Sequence, residues 1–452
     1  MSSLQEALLE IESDACGVES GSRVPHARRG GAKFRDPLEF ALFPDALGQK
    51  IPADHLVRGI AWAVQAMDFS FLTRLYAHRG GTPYHPLNML AVVLYGIIDE
   101  VRESRDLEEH CLYDARYRFL MGGLEPDDRT FGRFLERLEG KEDDILKSVL
   151  DFARKQAMGR GNEVAVDGSK MPGAASWWER DRVRDGTCSD PDVRLMNSHG
   201  RRSLGYNVQI AVDTGDGLIL GAKVCQDQAD WHVAPSVMEA VRAQSGELPA
   251  RMVADSGYET PATILTLEEM GIETAIAPSE NLPEEVMENA DGELCCKGGR
   301  ALVWVGITEV EKGRPYDRYG PEGGCRGCPL SKSCAFKGKR LSVPLGTDAG
   351  AKIRNRDRVR SDACQGAMIR RRGVETVFAV LRRHDGFDRF LRKGKGKAQV
   401  DFVIWAVSYN LRKILKRLWP LFTTICAILL NRLLDTFEGD RPRRYSLALN
   451  WR

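Results

Sequence analysis

The sequence lacks the long apolar runs that are typical of membrane proteins. Its longest apolar segment, "LWPLFTTICAILLNRLL", is interrupted by Pro420, Asn431 and Arg432. Because a helix needs about 20 consecutive apolar residues to cross a bilayer, this segment predicts a packed or interfacial helix, and no membrane is expected as a partner. The first residues, "MSSLQEALLEIESDACG", also lack the basic start and apolar core of a secretory signal. Together these absences predict a cytoplasmic protein.

Cysteines are scarce outside one segment, since five of the 11 fall between residues 280 and 362. In a reducing compartment, clustered cysteines bind metal more often than they form disulfides. Cys325, Cys328 and Cys334 form a C-x2-C-x5-C run, and we select Cys296 from the upstream pair as a fourth ligand. This spacing is typical of a structural Zn²⁺ ribbon, and a set of free thiols is an equal alternative.

The chain has no overall excess of charge, with 65 basic and 64 acidic residues and a net charge of +1. The charge is nevertheless uneven, because residues 351–452 contain 24 basic and nine acidic side chains. Such a basic C-terminal part predicts a polyanionic partner. The alternative is an ordinary solvated surface.

The hydrophobic pattern divides the chain into six parts. Residues 1–50 are polar, with a basic glycine-rich stretch, and predict a flexible tail. Residues 51–155 repeat apolar side chains at helical spacing; this helical domain, expected to bind DNA, fits either a helix-turn-helix or a plain bundle. The other parts are sheet-forming residues 160–279, cysteine-rich residues 280–362, a second helical stretch over 363–420, and a C-terminal helix with a basic tail over 421–452.

Within residues 160–279 the pattern changes from helical to extended. The strand-like run "EVAVD" comes first, and "YNVQIAVD" and "LILGAKVCQ" then flank a Gly/Asp turn that suits a hairpin. The strands "ARMVAD" and "ETAIAPS" follow, each preceded by a helical run. The order strand, hairpin, helix, strand, helix, strand predicts an α/β fold with a mixed sheet flanked by helices.

Two of these strands end in a carboxylate. Asp167 ends "EVAVD" and Asp255 ends "RMVAD", and side by side at one edge of a sheet they would repel each other unless a divalent cation lay between them. Glu375 lies on a helical run with Arg371 and Arg382 on the same face. A carboxylate between guanidinium groups suits a metal-dependent phosphate site, although a surface ion-pair helix is the commoner explanation for such a pattern.

The order and context of these motifs resemble the DDE transposases of bacterial insertion sequences. The resemblance covers about residues 50 to 420. It rests on "VAVDGSKM", "GYNVQIAVDTGDGLILGAKV", "VADSGYET", "CRGCPLSKSC" and "VETVFAVLRRHDGFDRFLRKG", together with the helical run that begins "YHPLNMLAVVLYGIIDEVRESRDLEEH". It implies an RNase H-like catalytic domain, preceded by an all-helical domain and interrupted by the cysteine-rich insertion.

The same resemblance implies a mechanism and a set of partners. Asp167, Asp255 and Glu375 would hold two Mg²⁺ or Mn²⁺ ions on either side of a scissile phosphate, with water or a DNA 3′-hydroxyl as nucleophile. The partners would be the terminal inverted repeats and the target DNA, joined by a homodimer in a nucleoid-associated complex. DNA contacts are expected from the neighbouring basic side chains, namely Lys170, Arg371, Arg382, Arg383, Lys393 and Lys395.

The sequence also departs from the family pattern. Many relatives carry a Tyr, Arg, Glu, Lys signature around the glutamate, whereas Met368 stands at the tyrosine position and Arg382 at the lysine position. Trp177 and Trp178 could stack on DNA bases or form a packed lid, which we favour. Two rival functions are a catalytically inactive or domesticated DNA-binding protein, and a metal-dependent nuclease without strand transfer.

Overall fold

The centre of the molecule is a six-stranded mixed sheet. The computed structural model describes residues 50–76, 83–198, 200–278, 283–289, 291–310, 314–344 and 348–437. The strands of the central sheet are β1 (Glu163–Pro172), β2 (Arg194–Ser198), β3 (Arg201–Asp213), β4 (Ile219–Cys225), β5 (Arg251–Ala254) and β6 (Glu273–Ile276).

The strand order confirms the RNase H-like fold. Strands β4, β3 and β1 are antiparallel neighbours, and β5 and β6 continue the sheet in parallel to β1. Strand β2 pairs with the first residues of β3, beside β4. The predicted order of strand, hairpin, helix, strand, helix and strand is therefore correct. Of the strands in the central sheet, only β2 was not predicted, because it lies within a polar, turn-rich segment.

The described residues form 13 α-helices. Seven precede the sheet, which confirms the helical N-terminal region: α1 (Leu56–Ala66), α2 (Ser70–Arg74), α3 (Pro86–Ile98), α4 (Ser104–Tyr113), α5 (Ala115–Leu120), α6 (Asp128–Arg137) and α7 (Glu142–Lys155). The other six are α8 (Ala234–Ser245), α9 (Pro261–Glu269), α10 (Ala349–Arg360), α11 (Asp362–Arg371), α12 (Gly373–Arg383) and α13 (Lys395–Phe437). None of the helices in the described residues is long and apolar enough to cross a membrane.

The long helix α13 joins the helical region to the sheet. It packs against α3 and α7 on one side and against β4 on the other, so that a single apolar core runs through both parts. The sequence predicted a separate C-terminal helix from residue 421, but α13 continues through Pro420 without ending. A proline removes one amide hydrogen bond and need not end a long helix. Residues 1–49 and 438–452 lie outside the described part of the chain.

Side-chain amides cover both edges of the central sheet. Asn410 of α13 accepts a hydrogen bond from the Ile219 amide (2.8 Å) and donates one to its carbonyl (2.7 Å). At the opposite edge, Asn355 of α10 forms the same pair with Ile276, at 2.9 and 2.8 Å. An uncovered sheet edge would leave backbone groups unpaired and open to aggregation, so these two asparagines complete the sheet.

The cysteine-rich insertion folds around a small core of its own. It contains β7 (Val286–Glu288), β8 (Leu294–Cys296), β9 (Leu302–Val310), β10 (Arg314–Pro321) and β11 (Leu341–Pro344). Strands β7 and β8 form one antiparallel pair, and β9, β10 and β11 form a three-stranded antiparallel sheet. Val286, Phe336 and Ile353 are among the buried residues of this core, and Ile353 belongs to α10, which ties the insertion to the catalytic part.

Candidate functional site

The strand register places Asp167 beside Asp255. Strands β1 and β5 are parallel, with Ala165 opposite Val253, and continuing this register by two residues brings the two aspartates together. The prediction that Asp167 ends its strand was wrong, because β1 continues to Pro172 and is paired with β3 as far as that residue. The strand that ends at this level is β5, whose last residue, Ala254, immediately precedes Asp255.

The electrostatic environment of Asp167 is unfavourable for a bare carboxylate. Burial is the main cause that raises its pKa, from 3.8 to about 6, and the charges of Asp255 and Asp230 raise it further. The Gly168 amide, which donates to Asp167 Oδ1 at 2.8 Å, and the nearby Arg371 act in the opposite direction. Two adjacent carboxylates with hard oxygen atoms are the donors that a divalent cation such as Mg²⁺ or Mn²⁺ requires, so the residues fit the metal.

Helices α11 and α12 pack against β1, and α12 carries Glu375. Arg370 bonds to Glu163 at the start of β1 (2.8 Å), and Arg382 bonds to Ser169 near its end. Arg370 belongs to α11, which ends at Arg371, and Arg382 belongs to α12, which begins at Gly373, so both helices are anchored to β1. Glu375 lies between these two arginines in the sequence, in the first turn of α12.

The Glu375 side chain remains apart from the two aspartates. It is 62% exposed, and Arg371 Nη2 lies 3.8 Å from its Oε1. In the part of the chain that the structure describes, no three Asp, Glu, His or Cys side chains stand close enough to hold a metal ion. The structure therefore brings Asp167 and Asp255 together and places Glu375 on a neighbouring helix, where Arg371 contacts it.

A buried polar network adjoins the site, and sequence reasoning missed it. Asp230 Oδ1 accepts hydrogen bonds from Lys170 Nζ (2.9 Å), Asn207 Nδ2 (2.8 Å) and Gln209 Nε2 (2.8 Å). Gln209 Oε1 in turn accepts from the Tyr258 hydroxyl at 2.5 Å. A signal was present in "YNVQIAVD", because two amides two positions apart on an otherwise apolar strand share one face and need buried partners.

The residues predicted to contact DNA fall into two groups. Lys170 is only 11% exposed and is bonded to Asp230, so its ammonium group serves the buried network. Arg383 and Lys393 are exposed, and Arg382 reaches Ser169 at the edge of the site. The Lys395 amide donates to Asp192 Oδ2 at 2.8 Å, which fixes the start of α13.

The departures from the family pattern also have a structural account. Met368 packs against the apolar cluster that contains Val253 and Cys364, next to the strand that leads to Asp255. Trp178 is 85% exposed and Trp177 37%, so the predicted packed lid is not formed by Trp178. Trp231, next to Asp230, is half exposed and is a third tryptophan near the site.

The four cysteines predicted to bind zinc line one small cavity. A Cβ atom on Gly298 would lie 2.9 Å from Cys328 Sγ and 3.7 Å from Cys296 Sγ. Both sulfur atoms therefore pack against a residue that has no side chain. Cys296, and not Cys295, faces this cavity, as expected for neighbouring residues of a strand. The thiols have the donor chemistry of a zinc site, although no three of them are at coordinating distance within the described residues.

Comparisons with known proteins match two parts of the chain to transposase families. Residues 295–415 match the family model described as transposase DDE domain, and residues 45–137 match the transposase domain DUF772. Among solved structures, the chain is similar to the piggyBac transposase synaptic complex with hairpin DNA, at 10% identity and a TM-score of 0.31, over 80% of this chain and 72% of that chain. No curated protein matches the sequence.

Proposed function

We propose that this chain, which belongs to the DDE transposases of insertion sequences, binds the terminal inverted repeats of its element and cuts and joins DNA at the Asp167, Asp255 and Glu375 site. The register that sets Asp167 beside Asp255 is the observation that carries this proposal. Two strands deliver carboxylates to one point of the sheet, and the helix with the third carboxylate packs against β1.

A DDE transposase domain implies the use of a divalent metal, and we propose Mg²⁺ or Mn²⁺ as that metal, with two ions per site. Asp167 and Asp255 would hold the metal, and Glu375 would join them by exchanging its contact with Arg371. The bound metal supplies positive charge to the scissile phosphate and lowers the pKa of a water nucleophile. The Gly257 amide holds the Asp255 carboxylate at 2.9 Å, which orients it before metal binds.

We further propose that the basic side chains around the site hold the DNA backbone. Arg371, the last residue of α11, contacts Glu375, and Arg382 lies further along α12. A guanidinium group suits a phosphate because it donates two parallel hydrogen bonds. Arg383 and Lys393 are exposed and Lys395 is half-buried, and we propose that they add further phosphate contacts. Since two element ends must be brought together before joining, the active complex is expected to be a homodimer on DNA, associated with the nucleoid.

The test is cleavage of labelled DNA that spans both flanks of the gene, in Mg²⁺ or Mn²⁺. The wild type should cut at discrete points, and Glu375→Gln should not, because the substitution removes the charge of the third carboxylate. Glu239→Gln is the matched control, since Glu239 is a similarly exposed glutamate that contacts Arg242 on α8 (3.4 Å). Equal cleavage by wild type and Glu375→Gln would contradict the proposed site.

The products of the same reaction distinguish the rival functions. Joined DNA molecules identify a transposase, whereas nicks alone identify a nuclease that only hydrolyses. Binding without cleavage by the wild type, in either metal, would identify an inactive DNA-binding protein. The adjacent Asp167 and Asp255 favour catalysis over an inactive DNA-binding protein. Two neighbouring carboxylates repel each other, so an inactive protein would be more stable with one of them replaced.

We also propose one structural Zn²⁺ in the insertion, bound by Cys296, Cys325, Cys328 and Cys334. Purified protein should contain about one zinc per chain, and Cys328→Ser should lose it and unfold at a lower temperature, since zinc binding contributes directly to folding. Cys225→Ser is the control, because Cys225 is a buried free thiol on β4, in the central sheet. Elemental analysis that finds no zinc in the wild type would contradict the prediction.

A further inference from the structure

We infer that Tyr258, Gln209 and Asp230 form a hydrogen-bonded tether that positions Asp255 against Asp167, so that the two carboxylates are set for metal before metal arrives. The inference rests on the proposed function, because it treats these aspartates as metal ligands. The three tether residues are positioning residues, since they act through the two aspartates.

The first end of the tether fixes the turn that carries Asp255. Residues Ser256–Tyr258 form one turn of 3₁₀ helix, and Asp255 caps it by accepting the Gly257 amide. Tyr258 is 1% exposed, and its hydroxyl donates to Gln209 Oε1 at 2.5 Å. Because this bond is inaccessible to solvent, water cannot replace it, and the orientation of the turn depends on it.

The other end lies directly against the residue that follows Asp167. Gln209 is opposite Gly168 in the β1–β3 pairing, and a Cβ atom on Gly168 would lie 2.1 Å from Gln209 Nε2 and 3.1 Å from Asp230 Oδ1. The close approach is possible only because residue 168 has no side chain. A shift of Gln209 is therefore transmitted to the backbone of β1 next to Asp167.

Asp230 determines which way the Gln209 amide faces. Gln209 Nε2 donates to Asp230 Oδ1 and to Asn207 Oδ1 (2.9 Å), which uses both amide hydrogens. Its Oε1 atom is then left to face Tyr258. Lys170 compensates the Asp230 charge at 2.9 Å, and the Gln209 amide and the Tyr258 hydroxyl are both paired, as buried polar groups require.

The experiment is Mn²⁺ titration by calorimetry on the full-length protein without DNA. Tyr258→Phe should weaken Mn²⁺ binding by about 10- to 100-fold, the range typical of partners that orient metal ligands, while the fold is retained. Tyr206→Phe is the matched control, because Tyr206 is equally buried on β3 and its hydroxyl donates to Asp190, at 2.9 Å. The control should stay within about twofold of the wild type.

A second variant removes the same Tyr258–Gln209 hydrogen bond by changing Gln209. Gln209→Met keeps the length of the side chain and removes the acceptor for Tyr258, and it should weaken Mn²⁺ binding in the same range. Wild-type affinity in a folded Tyr258→Phe or Gln209→Met protein would overturn the inference, even if DNA is cleaved as proposed. Loss of Mn²⁺ binding with no DNA cleavage by the wild type would instead support the tether and contradict the proposed function.

Discussion

Replacing Asp167 with asparagine is expected to abolish DNA cleavage and to stabilise the metal-free protein at the same time. A metal ion contributes several kcal/mol to the transition state, so losing one of its ligands should cost about a thousandfold in rate or more. The gain in stability arises because the Asp167 carboxylate is buried beside Asp255 and Asp230, which raises its pKa to about 6.

The sign of the stability change depends on pH. The folded-state pKa of about 6 lies above the ordinary value of 3.8, so the native protein binds the proton more tightly than the unfolded chain. Stability of the wild type therefore falls as pH rises from about 4 to about 6 and stays reduced above that range. The shift corresponds to roughly 2 to 3 kcal/mol at pH 8, which the uncharged Asp167→Asn protein would recover.

Thermal unfolding in EDTA, at pH 8 and at pH 4, measures this effect. Asp167→Asn should melt above the wild type at pH 8, with the difference disappearing at pH 4. Asp213→Asn is a contrasting control, because Asp213 accepts hydrogen bonds from the Gly215 and Gly161 amides (2.7 and 3.1 Å), and its replacement should lower the Tm. A lower Tm for Asp167→Asn at pH 8 would show that the carboxylate is already compensated by the protein itself.

Replacing Asp385 with alanine is expected to give the largest loss of stability. Asp385 is fully buried just after α12, where it accepts from Trp405 Nε1 (2.8 Å) and from Arg412 at 2.7 and 3.2 Å. Its removal leaves a largely buried guanidinium group and an indole N–H without their partner. Breaking such a pair costs about 3 to 5 kcal/mol when both charges are buried, and the partial exposure of Arg412 favours the lower value.

The comparison for this variant is Asp388→Ala on the same loop. The Asp388 side chain is 77% exposed and lies 4.0 Å from Arg102, so its replacement should change the free energy of unfolding by less than about 1 kcal/mol. Urea unfolding followed by tryptophan fluorescence measures both variants. Similar midpoints for the two proteins would mean that the contact between α12 and α13 does not support the helix that carries Glu375.

The sequence predicted those parts of the fold that repeat a local pattern. The strands that carry Asp167 and Asp255 and the helix that carries Glu375 were correctly identified, because apolar periodicity marks each of them. The full length of β1 was not predicted, because the residues "GSKMP" have the composition of a turn. Its extended conformation is imposed by β3, which pairs with it as far as Pro172.

The tether could not be predicted from the sequence, because its members come from distant parts of the chain. Tyr258 and Gln209 are 49 residues apart, and Gln209 and Asp230 are 21 apart. Lys170 was predicted to contact DNA as one of the basic side chains near the site. In the structure its ammonium group bonds to Asp230, and no local pattern in the sequence records such a partner.

The contacts that Asp385 makes with α13, just after α12, also bear on the order in which the site is assembled during synthesis. Glu375 is made 120 residues after Asp255, a delay of roughly 6 to 24 seconds at ordinary translation rates. The helix that carries it is secured only after Trp405 and Arg412 have left the ribosome and reached Asp385. A nascent chain therefore carries both aspartates well before the helix with its third carboxylate is held in place.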